Sequence, residues 1–238
     1  MIVDIISDPH GFYPALEGGD LLIIAGDLTA RDDFQEWKTF FKWIATLTYK
    51  KKIVICGNHD RFMEYNPGFM FDEKDSFEYL CDSGTEMVYY PYLDPPNLEN
   101  IGIPYKRKTL KIWGSPYTLP FPGENPKCLA FTCETEEELA DHWKCIPEDT
   151  DILVTHSPPF TIRDGRNPNQ NLGSRSLMKR ISRINLKLHV FGHIHEGYGI
   201  MDLQWLKLKN GLKGGLYVNA SHVNERYEPV NKPIRIEL

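Results

Sequence analysis

Five short apolar runs in this 238-residue chain each stop at a polar or glycine-led motif, and that recurrence narrows the folds open to it. Residues 2–6 lead into Asp8-Pro9-His10, residues 21–25 into Gly26-Asp27, and residues 53–56 into Gly57-Asn58-His59-Asp60. Residues 152–154 lead into His156, and residues 188–191 into Gly192-His193-Ile194-His195. Short runs rich in Ile, Val and Leu read as strands buried on both faces, with Asp4 and His189 as the two interruptions. Strands that end together in a sheet aim their following loops into one crevice. An α/β fold with a site at its strand ends is therefore expected.

Helical spacing fills the gaps between these runs. Phe34, Trp37, Phe41 and Ile44 predict a helix over 33–47, with Asp32 and Asp33 placed to cap it. Leu139, Trp143 and Ile146 predict a second after the acidic stretch 134–138, and Leu177, Ile181 and Ile184 a third after Gly173-Ser174. Between 87 and 117 only residues 109–113 alternate as a strand does, with Leu110 and Ile112 on one face. Residues 214–218 and 234–238 read as closing strands. No repeat, low-complexity tract or linker marks a boundary, so one domain over 1–238 is expected.

Composition decides which partners fit. A hydrophobic fraction of 41%, with 12 Phe, 12 Tyr and 5 Trp, supplies a large core without disulfide support. The net charge of -6 offers no positive field to gather long polyanions, so nucleic acid is not expected as a partner. A small phosphate ester could still be attracted by bound metal ions. Five cysteines without a C-x-x-C pair suit a reducing, cytoplasmic setting. No leader is read at the start, and no run approaches the roughly 18 apolar residues of a membrane span. The oligomeric state is not legible.

Taken singly, each motif has an ordinary reading. Gly and Asp are frequent turn residues, and His156 before Ser157-Pro158-Pro159 could simply end a strand at a stiff turn. Were Gly192-His193-Ile194-His195 extended, its two histidines would project to one side and reach a shared metal. The five motifs together contain five of the eight histidines, each just beyond an expected strand. Carboxylate, imidazole and amide oxygen form a mixed donor set suited to Mn, Fe, Zn or a related divalent ion, whereas Mg or Ca favour oxygen alone.

The order D-x-H, G-D, G-N-H-D, H, G-H-x-H resembles that of the calcineurin-like metallophosphoesterases. A closer resemblance is to the brain-expressed metallophosphoesterase-domain-containing phosphodiesterases. Ile112-Trp113-Gly114-Ser115-Pro116, Thr155-His156-Ser157-Pro158-Pro159, residues 190–199 and Tyr217-Val218-Asn219-Ala220-Ser221 carry it, so it spans nearly the whole chain.

This resemblance implies an αββα sandwich of two mixed sheets flanked by helices. It also implies two divalent ions, Mn²⁺ foremost, with Fe, Zn or Co as alternatives. Asp8, His10, Asp27 and His195 would hold one ion, and Asp27, Asn58, His156 and His193 the other. Ions roughly 3.5–4 Å apart can hold a bridging hydroxide for direct in-line attack on phosphorus. His59 would stabilise the transition state or protonate the leaving oxygen, with Asp60 in support.

The second motif departs from the G-D-x-V-D-R-G of protein phosphatases at Thr29, Ala30 and Asp32, and keeps Arg31. The closer resemblance implies hydrolysis of small phosphodiesters such as cyclic nucleotides, and Arg166 and Asn169 in the loop 164–173 are the expected substrate contacts. A phosphomonoesterase, a nuclease and a non-catalytic scaffold that retains its metal site are the alternatives.

Overall fold

The computed structural model describes residues 1–69, 76–90, 107–120, 128–167, 170–203 and 214–238, including the backbone but not the side chains of 166 and 167. Parallel strands β1 (Ile2–Ile6), β2 (Gly19–Ala25), β3 (Tyr49–Ile55) and β4 (Glu78–Tyr79) form one sheet, and β13 (Ile234–Glu237) joins β1 antiparallel at its edge. The second sheet runs β11 (Gly199–Asp202), β12 (Leu216–Asn219), β10 (Leu188–Phe191), β7 (Ile152–Thr155), β6 (Lys108–Ser115) and β5 (Ser83–Tyr89). Its four inner strands are parallel and both edge strands are antiparallel. A small antiparallel pair, β8 (Gly165–Asn167) and β9 (Gln170–Asn171), stands apart.

Strand alternation builds three apolar layers from these two sheets. Val3, Ile5, Leu21, Ile23 and Ile53 meet Leu110, Ile112, Val154, Leu188 and Val190 between the sheets. The opposite face of the first sheet, with Ile6, Leu22, Ile24 and Val54, packs under helix α1 (Phe34–Thr46) through Trp37, Phe40 and Ile44. Leu153, Phe191 and Tyr217 on the outer face of the second sheet pack under α3 (Glu136–Lys144) and α4 (Arg175–Ile181). The layers are therefore helix, sheet, sheet, helix, and the short α2 (Arg61–Tyr65) follows the third motif.

Each long helix starts where its cap dictates. The Asp33 carboxylate accepts from the Gln35 and Glu36 amides, and Thr135 and Ser174 hydroxyls accept from Glu138 and Leu177. The buried stripe of α1 is rotated from the expected one: Phe40 is fully buried, while Phe34 is 52% exposed beneath the Lys38 ammonium. Asp4 tolerates its buried strand position because Arg235 forks onto it at 2.8 and 2.9 Å and the Tyr49 hydroxyl donates to it. His189 is fully buried beside the Thr155 hydroxyl at 2.9 Å, and burial pushes its imidazole down to about 3.

Candidate metal centre

Because β1, β2, β3 and β7, β10, β12 are parallel within their sheets, their C-terminal ends gather on one edge of the sandwich. The edge is stitched across the sheets: the Ser7 amide donates to Ala220, and the His222 amide donates to Ser7. All five motifs are delivered to that seam.

The delivery requires unusual backbone. Asp8, His10, Asp27 and His193 have φ of 49°, 43°, 52° and 66°, in the left-handed region that side chains with a Cβ rarely adopt. Four such residues in one cluster mark a place where surrounding structure holds strain for a purpose. The glycines have a steric reason. At Gly192 a Cβ would lie 2.0 Å from Asp8 Oδ2 and 2.1 Å from Ser7 Oγ. At Gly26, with φ of 97°, a Cβ would lie 2.5 Å from His156 Nδ1. Each motif's glycine thus makes room for another motif's ligand.

Eight residues converge. Asp27 Oδ2 lies 3.7 Å from His10 Nε2, 3.4 Å from His156 Nε2 and 4.0 Å from His59 Nε2. Asp8 Oδ1 lies 3.4 Å from His195 Nε2. Asn58 Oδ1 lies 3.0 Å from His156 Nε2 and 2.9 Å from His193 Nδ1. Three groups, Asp8 with His10 and His195, Asp27 with His156 and His193, and His10 with Asp27 and His59, each offer ligand atoms within 4.8 Å of one another. Residues 192–195 are not extended: β10 stops at Phe191, His193 turns left-handed and His195 opens a 3-10 turn. The two histidines therefore reach separate groups, because a single left-handed residue breaks the two-residue alternation.

Donor atoms that share an ion at about 2.1 Å stand roughly 3.0–3.4 Å apart, and the closest pairs here have that spacing. His10 supplies a second test. It is buried, and neither ring nitrogen has a hydrogen-bond partner. A buried orphan imidazole is costly in protein alone, and coordination would satisfy it. The residues present fit a divalent ion pair.

Charge is balanced internally. Burial pushes the Asp27 carboxyl up, but His156 and His59 hold it well below the usual carboxylate range. Burial opposes the charge on His156, and Asp27 nevertheless carries it up to about 9. Burial takes His10 and His193 down to about 3, leaving them neutral and ready to donate lone pairs. Asp8 is likewise held low by His195 against the effect of burial.

Supporting groups fix these side chains. His156 Nδ1 faces the Ala25 carbonyl at 2.9 Å and His195 Nδ1 the Asn224 carbonyl at 3.0 Å, so each presents Nε2 to the cluster. The His193 amide and the Ser221 hydroxyl donate to Asp8, and the His59 amide donates to Asp27. Ser221 is positioned by Asn219, which also ties Ile194 and Arg163. Asn219 and Ser221 follow an apolar strand just as the ligands do, and that pattern could have flagged them. Asn224 lies in a polar turn with no such signal.

Asp60 directly follows His59. It is fully buried, and its carboxylate accepts from the amides of Leu28, Thr29 and Gly57 and from the Thr29 hydroxyl. It thereby binds the second motif loop, which carries Asp27, to the third, which carries His59. Arg166 lies on β8, while its side chain and the whole of Asn169 lie outside the described residues.

A strained, histidine-rich seam between two sheets, with donors spaced for a pair of ions, has the form of a dinuclear metal centre. The chain belongs to the calcineurin-like phosphoesterase family, whose model matches residues 1–197. It is 34% identical over 252 residues to Metallophosphoesterase domain-containing protein 1 of Homo sapiens, covering 98% of this chain and 69% of that one. A UPF0046 protein of Caenorhabditis elegans is 32% identical over 233 residues, covering 96% of this chain and 72% of that one. A solved structure from Thermus thermophilus shares the fold at a TM-score of 0.54 and 15% identity, covering 99% of this chain and 98% of its own. The family implies a dinuclear divalent centre, and the αββα architecture is the one expected from the sequence.

Proposed function

We propose that the protein hydrolyses small phosphodiesters, cyclic nucleotides among them, with two divalent ions, Mn²⁺ foremost. The observation that carries this reading is the place of Asp27, whose Oδ2 faces His10 on one side and His156 on the other. Asp8, His10, Asp27 and His195 would hold one ion, and Asp27, Asn58, His156 and His193 the other, with Asp27 shared. The mixed oxygen and nitrogen donors favour Mn²⁺, Fe, Zn or Co over an all-oxygen cation. Bound ions supply activation of the nucleophile and neutralisation of phosphate charge.

The chain's own groups do the remaining work. The carbonyls of Ala25 and Asn224 orient two histidines before any ligand arrives. Asp8, Asp27 and His156 are buried, whereas His59, His193 and His195 are partly exposed, so the cluster opens toward solvent past these three histidines. His59 Nε2 is 4.0 Å from Asp27, and its Nδ1 is 3.5 Å from Cys128 Sγ. From there the imidazole can deliver a proton to a leaving oxygen. Arg166 and Asn169 remain the proposed substrate contacts. All five cysteines are free, which supports a reducing, cytoplasmic setting, and no described helix is long and apolar enough to cross a membrane.

The test compares bis(p-nitrophenyl) phosphate with p-nitrophenyl phosphate, using chelator-stripped protein with and without Mn²⁺. Restored activity favouring the diester supports the reading. Monoester preference replaces it with a phosphatase, and inactivity with every divalent ion replaces it with a scaffold.

A further inference from the structure

Tyr227 has no place in the ligand set, yet its ring touches more of the site than any other aromatic among the described residues. It meets His10 edge-on at 4.9 Å between centroids, His195 at 5.4 Å and the tilted His59 at 6.0 Å. At 40% exposed it keeps a large part of its surface toward solvent while standing against three site histidines.

The loop that carries it is built for the purpose. Tyr227 has φ of 60°, a left-handed conformation that a bulky side chain rarely adopts. Asn224 enforces it: its carbonyl accepts the Tyr227 amide, its amide donates to Glu228, and its side chain accepts from the Arg226 and Glu228 amides. The same Asn224 carbonyl faces His195 Nδ1. One backbone oxygen therefore fixes both a proposed ion ligand and the aromatic wall beside it.

We propose that Tyr227 is a specificity-determining residue that packs against a flat aromatic or heteroaromatic arm of the ester, such as an aryl or nucleoside group. This inference rests on the phosphoesterase reading above. An aromatic ring accepts another in stacked or edge-on contact without regard to its hydrogen-bonding pattern, so the wall selects for flatness. It stands beside His59 and His195, two of the partly exposed histidines at the mouth of the cluster, and a phosphate held in the cluster would carry its arm past it.

The test uses Mn²⁺-loaded protein and titration calorimetry with inorganic phosphate and with phenyl phosphate, so that turnover is not needed. Tyr227→Ala should weaken phenyl phosphate by roughly tenfold while inorganic phosphate changes less than about twofold, and Tyr227→Phe should rescue the phenyl phosphate affinity. Tyr227→Leu, which keeps bulk without a π-face, should behave as Ala does and guards against a folding defect. Equal weakening of both ligands, no weakening of either, or a wild-type protein that binds phosphate without favouring phenyl phosphate overturns the inference alone. A wild-type protein that binds neither ligand overturns the reading of the site as well.

Discussion

Asp60 separates a structural carboxylate from a catalytic one. In Asp60→Ala three buried amides, Leu28 at 3.0 Å, Thr29 at 3.2 Å and Gly57 at 2.8 Å, lose their acceptor. Each stranded donor costs about 1–3 kcal/mol, or about 6 kcal/mol for three at mid-range. Two effects offset part of this. Burial and the neighbouring Asp27 charge already push the Asp60 carboxyl well above its usual range, so its removal relieves a repulsion. A water entering the vacated space can also satisfy one amide. The expected net loss is about 4 kcal/mol, in line with other broken buried networks. With a urea m-value of about 3 kcal/mol/M, the midpoint falls by about 1.3 M. Urea unfolding followed by tryptophan fluorescence, alongside kcat on bis(p-nitrophenyl) phosphate, decides the matter. A midpoint within about 0.3 M of wild type combined with lost turnover would refute the structural role and return Asp60 to the chemistry.

Gly192→Ala drives a Cβ onto Asp8 and Ser7, so stability should fall by about 1–3 kcal/mol and ion affinity by at least about tenfold; wild-type metal content by elemental analysis would contradict this. His59→Ala should keep near-normal metal content and lower turnover, whereas Asp27→Ala should lose at least one ion. Equal loss of metal and activity in the first, or two tightly held ions in the second, would remove the assigned roles. Burial alone would lower His142, but Asp82 at 2.5 Å and the Cys133 thiol raise it to about 9. A histidine raised on folding stabilises fully below about pH 6.5 and loses that contribution as pH climbs through about 9. Partial exposure reduces the effect to about 1–2 kcal/mol between pH 6.5 and 9.5, and His142→Gln should flatten that part of the profile in denaturation measurements.

Strands β1, β2, β3, β7 and β10 were legible because their C-terminal residues are buried on both faces and their apolar runs stop where the motifs begin. β5 was not: within Ser83–Tyr89 only Met87 is buried, as suits an edge strand, and Ser, Gly, Thr and Glu give no apolar alternation. The N-termini of α1 and α4 were legible from their caps, but the face of α1 was set by the sheet beneath, which chose Phe40 and left Phe34 outside. The residues that gather at the seam could be read from motif order, whereas the backbone of His193 could not, since its left-handed turn answers contacts with Asp8 far away in the chain. Tyr227 left no trace, because a residue held by a polar turn follows no period.

The seam has a consequence for the timing of assembly. Asp8 is joined to the His193 amide across 185 positions of chain and to the Ser221 hydroxyl across 213. Contacts of that span form late, after long loops have closed and both sheets have met. An ion that takes donors from both sheets would then join after the folding barrier has been crossed. Bound in that order, it would slow the escape from the native state while leaving the speed of reaching it unchanged, and so act as a latch on the closed sandwich.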